Sequence, residues 1–351
     1  MEILINWFRR KYIKTMHWEY WPIWVVYMPV SFYYIYLSLR AKSFFFFSAS
    51  NPLIENGGMF FESKWLIFQQ IPRDLFPTTI FVSPSDSLDL INSNMLKAKL
   101  SFPIIAKPDR GERGWLVKKI YNASELKEYK EALNITFLIQ SYVNLPVELS
   151  VFYYRHPNMN KGIVTSLTFK KLLTITGNGS NTIKELICKN ERAFLQYQHL
   201  KQFSALDFNL ILEKDRTLEI VPYGNHALGA MFINYNHLIT PELVDVFDNI
   251  SKRIQGFCFG RYDIRCSSLE DLIQGKNLSI LELNGAGAEP AHIYDPNFSF
   301  WKAQSVLADH YRMMFDAAIA NHQKGVDYMT YQHFKKVSQL EKKYKKNQLC
   351  F

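Results

Sequence analysis

The chain has few cysteines, carries no charge across its most apolar stretch, and lacks several familiar catalytic signatures. Its four cysteines, Cys188, Cys258, Cys266 and Cys350, form no CxxC pair. Neither a disulfide framework nor a thiolate zinc site is therefore expected, and reduced thiols in a cytosolic setting are the default. No GxxxxGK[ST] occurs, which excludes a P-loop. No convincing Ser/His/Asp or Cys/His set stands out. Internal repeats, low-complexity linkers and nucleic-acid fold signatures are missing too, although 41 basic against 32 acidic residues give a net charge of +9. Part of that excess lies in a tail, Lys335, Lys336, Lys342, Lys343, Lys345 and Lys346, which reads as a solvated helix end. No nucleic-acid partner is expected. With 48% hydrophobic and 21% charged residues, global disorder is excluded.

No charged residue occurs from Tyr20 to Leu39, about the length that crosses a bilayer. Pro22 and Pro29 interrupt the run, and its many Trp and Tyr rings favour the headgroup region over the hydrocarbon centre. A compact apolar h-region and a small-residue cleavage site are lacking, so this is not a typical signal peptide. Arg9, Arg10, Lys11 and Lys14 lie on one side, Arg40 and Lys42 on the other. Three readings are open: a helical hairpin packed on the catalytic core, an interfacial membrane contact, or a spanning helix.

The most informative residues lie near the far end. Gly260-Arg261-Tyr262-Asp263-Ile264 reads as a buried strand carrying a carboxylate. A second apolar strand from Leu278 ends in Glu282-Leu283-Asn284. Residues two apart on a strand face the same side, so Glu282 and Asn284 project together and Asp263 can join them from a neighbouring strand. Two carboxylates and an amide oxygen are hard ligands suited to Mg²⁺, and Mn²⁺ fits the same donors. Upstream, Phe102 to Pro108 is an apolar strand with Lys107 near its end. A loop with Gly111, Arg113 and Gly114 follows, then a strand from Trp115 to Ile120. Such a hairpin can close over phosphates, its glycines admitting backbone N–H groups and its cations supplying charge. Phe137 to Glu148 is a strand running into an extended connection. That connection can offer backbone groups to an adenine edge, with Glu148 accepting ribose hydroxyls.

In this order the pieces resemble the ATP-grasp superfamily, more narrowly the D-alanine–D-alanine ligase, cyanophycin synthetase and glutathione synthetase-like carboxylate–amine ligases. The resemblance covers roughly residues 63 to 296 and implies an α+β fold, two lobes clamping ATP. By that resemblance Lys64 and Lys107 are the nucleotide-phosphate lysines. Arg113 and Gly114 belong to the phosphate loop, and Gln140, Tyr142, Val143 and Glu148 to the adenine and ribose linker. Lys170 or Lys171 would contact the terminal phosphates. Arg261 would face the developing oxyanion, while Asp263, Glu282 and Asn284 would hold two Mg²⁺ ions. The implied reaction is ADP-forming ligation of a carboxylate to an amine through an acylphosphate. A small-molecule kinase and a catalytically degraded nucleotide-binding protein are the alternatives.

The chain departs from the family pattern at Gln140, where many relatives carry Glu. It departs again after Asn284, where Gly285-Ala286-Gly287-Ala288-Glu289-Pro290 replaces the familiar "SPG" turn. Before Ser63 there is no βαβ rhythm, so the family's acceptor pocket does not carry over. The expected division is an aromatic-rich helical region over 1–56, an opening segment and small lobe over 57–145, a large lobe over 146–310, and a C-terminal helix with basic tail over 311–351. A cytoplasmic protein, with possible membrane-surface contact through its N-terminal region, is the expected setting.

Overall fold

The structure, a computed structural model, describes residues 2–112, 114–203, 206–221 and 224–346, with side chains described from residue 6 and not at 203. Arg113 and Cys350 lie outside the described residues. The helices are α1 (Glu2–Met16), α2 (Ile23–Ala41), α3 (Lys64–Phe68), α4 (Leu88–Lys97), α5 (Ala123–Glu131), α6 (Ile183–Lys189), α7 (Glu191–Phe203), α8 (Pro241–Lys252), α9 (Leu269–Ile273), α10 (Phe300–Gln323) and α11 (Tyr331–Lys346). The strands are β1 (Thr79–Val82), β2 (Ile104–Pro108), β3 (Lys118–Ile120), β4 (Phe137–Ser141), β5 (Val147–Tyr154), β6 (Ile163–Lys171), β7 (Leu173–Thr176), β8 (Thr217–Val221), β9 (Met231–Asn234), β10 (Phe259–Cys266) and β11 (Leu278–Asn284). The fold is α+β, as expected, and its strand pairs are antiparallel.

Local chemistry sets many of these boundaries. Thr182 accepts from the Glu185 N–H while Glu185 reaches back to the Thr182 N–H, the capping box that starts α6. Thr240 caps α8, with Pro241 at its first position, where the missing N–H costs nothing. Ser87, Asn122 and Ser299 cap α4, α5 and α10 in the same way.

A four-stranded sheet, β1-β4-β2-β3, forms the small lobe with α4 and α5. The large lobe is a five-stranded sheet ordered β11-β10-β5-β6-β9, and a separate β7-β8 ribbon carries α6 and α7. Alternation along the large sheet separates two environments. Leu149, Val151, Tyr153, Leu167, Tyr262 and Ile264 pack with Leu243 and Phe247 of α8. The opposite face carries Phe152 and Phe259, which meet Phe46, Phe47 and Leu37 from the N-terminal region and Met314 and Phe315 of α10. The same face holds the polar residues of the cleft.

The N-terminal region is therefore part of the core. Between Trp24 and Ala41, α2 buries Val26, Val30, Leu37 and Ala41. Of the three readings, packing is what the structure shows. Among the described residues no helix is long and apolar enough to cross a membrane. Asn51 ties this region to β10. Its amide donates to the carbonyls of Gly57 (3.0 Å) and Phe259 (2.8 Å), and its oxygen accepts from the Cys258 (2.9 Å) and Phe259 (3.0 Å) N–H groups. Asn51→Ala takes the side-chain partner from the buried Phe259 carbonyl and the Cys258 and Phe259 N–H groups, while Gly57 O keeps the Ala286 N–H. The expected destabilisation in urea is at least about 3 kcal/mol, since each orphaned buried group costs about 1–3 kcal/mol. A loss below about 1 kcal/mol would remove Asn51 as the tie.

One expectation needs correction. The second hairpin strand spans only Lys118–Ile120, because the chain before it is held by Trp115 N–H to Glu112 O and Val117 N–H to Gly114 O. Leu116 sits at φ 56°, which a strand does not accommodate. The basic tail lies on α11, which runs through Lys346. Phe334 stacks on Phe45, Val337 is buried, and the Tyr344 hydroxyl donates to Thr136 O at 2.6 Å. The lysines occupy the outer side.

Candidate active site

The two lobes face each other across a cleft of about 750 Å³ lined by Lys64, Lys107, Gln140, Tyr142, Val143, Glu148, Lys170, Arg261, Asp263, Glu282 and Asn284. A larger cavity, about 1120 Å³, lies under α11 beside Phe61, Tyr328 and Val337 and contains none of these motif residues.

On the large lobe one cross-strand rung carries the centre. Asp263 on β10 pairs with Glu282 on β11 and with Ser150 on β5, and Ser150 pairs with Thr168 on β6. Ser150 Oγ donates to Asp263 Oδ1 at 2.5 Å, and Lys170 Nζ lies 2.9 Å from the same oxygen. Arg261, two residues before Asp263 on the same face, holds both its oxygens at 3.1 Å and also donates to the Glu289 carbonyl. Asn284 Nδ2 donates to Asp263 Oδ2 at 3.3 Å. Burial pushes the Asp263 carboxyl up, but Arg261 and Lys170 outweigh it and hold it well below the usual carboxylate range.

The next rung is ionic as well. Arg265 donates from Nε and Nη2 to Glu148 Oε2 at 3.1 and 3.0 Å, and from Nη1 to the Val143 carbonyl at 3.0 Å. Lys170 Nζ lies 3.8 Å from Glu148 Oε1. The ribose-accepting carboxylate expected at Glu148 is thus half engaged by Arg265. Of the two candidate lysines, Lys170 is buried in the cleft. Lys171, one residue on, is exposed and does not line it.

The small lobe supplies the other wall. Lys107 Nζ donates to Gln140 Oε1 (3.0 Å) and to the Leu281 carbonyl (3.1 Å), joining the lobes. Burial lowers its pKa to about 8, with Glu282 opposing and nearby Lys64 adding to the shift. Gln140 Nε2 is fixed by Thr79 Oγ1 at 2.9 Å. Asp109 accepts from the Ser63 hydroxyl and the Trp65 N–H, which sets the start of α3 and aims Lys64 across the cleft. Lys64 Nζ contacts the Gly111 carbonyl and lies 3.4 Å from Glu282 Oε1. Gly114, at φ 73°, approaches the large lobe so closely that a Cβ there would meet Asn225 Nδ2 at 2.8 Å. The glycine hairpin therefore lies over the cleft.

Several contributors were not legible in the motifs. Gly58 and Gly285 come into backbone contact, with Gly57 O accepting from the Ala286 N–H and Gly58 O from the Gly287 N–H. Only residues without Cβ permit this. Glu19, Tyr20 and Trp21 also line the cleft. Glu19 accepts from Arg192 at 2.7 Å and pairs with His226 Nε2 at 2.8 Å, which gives His226 a structural partner. His292 is buried on Ser166 Oγ at 2.7 Å and does not line the cleft. Glu289 accepts from the hydroxyls of Tyr27 and Tyr294. A spacing search would not find the contacts of Glu19 or that of Tyr27 with Glu289, which join positions 173 to 262 residues apart.

The expected metal ligands fit a hard cation: two carboxylates and an amide whose oxygen can replace its nitrogen by a flip, all on adjacent strands. Among the described residues no group of three or more His, Cys, Asp or Glu gathers as a metal site. The expected set contains two such residues, with Lys170 and Arg261 now beside Asp263.

No protein-family model and no curated protein matches the chain. Among solved structures it is similar to the D-alanine–D-alanine ligase from Coxiella burnetii, at 10% identity and a TM-score of 0.43 over 82% of this chain and 62% of that one. It is also similar to the D-alanine–D-alanine ligase from Bacillus anthracis, at 14% identity and 0.40 over 75% and 67%. A third similar structure is the bifunctional glutathione synthetase from Pasteurella multocida, at 12% and 0.35 over 71% and 36%. The chain thus spans between 36% and 67% of the lengths of these enzymes. At such identities and scores the likeness says nothing about substrate or activity. In the order of its motifs and in the α+β architecture that carries them, the chain resembles the ATP-grasp superfamily.

Proposed function

We propose that the protein is an ATP-dependent, ADP-forming ligase that activates a carboxylate as an acylphosphate and transfers the acyl group to an amine. The observation that carries this reading is the single cleft in which Lys64, Lys107 and Gln140 of the small lobe face Arg261, Asp263, Glu282 and Asn284 of the large one. One wall has cations for phosphates, the other has oxygen donors and a guanidinium, and a nucleophilic side chain is not required.

In this reading the linker at Gln140–Val143 takes the adenine, and Lys64, Lys107 and Lys170 take the phosphates. The glycine hairpin covers the transferring group and keeps water from the acylphosphate. Asp263, Glu282 and Asn284 would hold Mg²⁺ or Mn²⁺, which when bound neutralises charge on the transferring phosphoryl group. Arg261, fixed by Asp263 and the Glu289 carbonyl, presents its guanidinium where negative charge develops on the acyl oxygen. Lys170 would exchange its contact with Asp263 for a phosphate oxygen.

The test is a screen of amino acids, peptides and acyl-lipid carboxylates with Mg-ATP, with amines or hydroxylamine as acceptor. ADP and free phosphate released together, with a hydroxamate when hydroxylamine is present, support the ligase. ADP released with a stable phosphorylated product and no free phosphate would replace it with a kinase.

A further inference from the structure

Helix α2 carries apolar side chains on both faces. One face is buried against the large lobe and α10 through Val26, Val30, Leu37 and Ala41. Trp24, Met28, Phe32, Ile35 and Leu39 follow at steps of four, four, three and four residues, so they form one stripe on the other side. That stripe is solvent-facing: Trp24 is 71% exposed, Phe32 69% and Leu39 74%. It runs about 22 Å at 1.5 Å per residue. A packed surface helix normally turns charged residues outward, and a contiguous apolar surface of this kind marks an interaction site.

The surroundings indicate what covers it. Helix α2 contains no acidic residue, while Arg40 and Lys42 are exposed at its C-terminal end. If a second copy covered the stripe across a two-fold axis, α2 against α2 would give these cations no acid to meet. Phosphate headgroups supply that counter-charge, and aromatic rings next to basic side chains suit the headgroup level of a bilayer.

We propose that the outer stripe of α2 docks the protein on an anionic lipid surface, with the helix lying in the plane of the interface. Trp21 and Ile23, at the start of the same segment, line the cleft, so docking brings the cleft toward the headgroups. The proposal uses no chemistry of the cleft and stands or falls separately from the ligase reading.

The test is flotation of the full-length protein with vesicles of phosphatidylcholine alone and of equal parts phosphatidylcholine and phosphatidylglycerol. Binding is expected to the anionic vesicles, weakened by salt. The triple variant Trp24→Ser, Phe32→Ser, Leu39→Ser should bind at least about a hundredfold more weakly, because three large apolar side chains no longer leave water. Its thermal unfolding should be unchanged, since the three positions are exposed. Arg40→Gln with Lys42→Gln should cost about fivefold per charge on anionic vesicles and nothing on neutral ones. Failure of the wild-type protein to float overturns the proposal. So does a concentration-dependent dimer in sedimentation that the triple variant abolishes, which would assign the stripe to a second copy of this chain.

Discussion

Glu282→Gln should leave the protein folded and reduce ADP release by about 10²–10³-fold, the loss that follows when one preorganised group stabilising a transition state is removed. Glu282 is partly exposed to the cleft, and its contact with Lys64 spans 3.4 Å between side chains that water reaches. Its structural contribution is therefore small, and thermal unfolding should move little. What changes is the charge available beside Asp263 for a divalent ion and for the phosphoryl group. Mn²⁺ binding in the presence of ATP gives a readout that needs no acyl substrate, and it should weaken in parallel with turnover. Near-normal ADP release with any accepted substrate pair would show that Glu282 is not a metal ligand.

Lys107→Ala should weaken ATP binding by about 1.5–3 kcal/mol, or roughly 10–150-fold in Kd by calorimetry, the range for a hydrogen bond to a charged partner. Its pH dependence adds a second signature. In the free protein burial holds the ammonium near a pKa of about 8, and phosphate oxygens favour the charged form. Below pH 8 Lys107 is already protonated and affinity should be flat. Above pH 8 binding must take up a proton, so affinity should fall by up to about tenfold per pH unit, and the Lys107→Ala protein should not show this fall. Stability of the free protein should move the other way. Between about pH 8 and 10.5 the unfolded chain holds the Lys107 proton that the folded chain has lost, so this contribution to stability rises with pH. Unchanged ATP affinity in the alanine variant would remove Lys107 from the site.

Much of the cleft was legible because strand periodicity is strict. Arg261, Asp263 and Arg265 alternate with Tyr262, Ile264 and Cys266, and the structure puts the first set on the polar face and the second in the core with α8 or beside it. The same rule placed Glu282 and Asn284 together. It could not choose between Lys170 and Lys171. Neighbours on a strand point to opposite faces, and the face turned to the cleft depends on the register with β5. Nor could it foresee that Arg265 takes one oxygen of Glu148, because that contact joins positions 117 residues apart.

The sequence by itself determined the local pieces. Caps at Ser87, Thr182 and Thr240 start helices because a side-chain oxygen meets an N–H three residues on, and alternation assigns the motif residues to faces. Tertiary structure alone decided how those pieces meet. It paired Gly58 with Gly285, hung the described N-terminal region on β10 through Asn51, and folded α11 onto Phe45 and Thr136. It also decided which side of α2 is buried. The physical reason is that burial of apolar surface has no direction of its own. A helix apolar all round states that it will be covered, and only the shape of what it meets determines which face is covered and which is left facing outward.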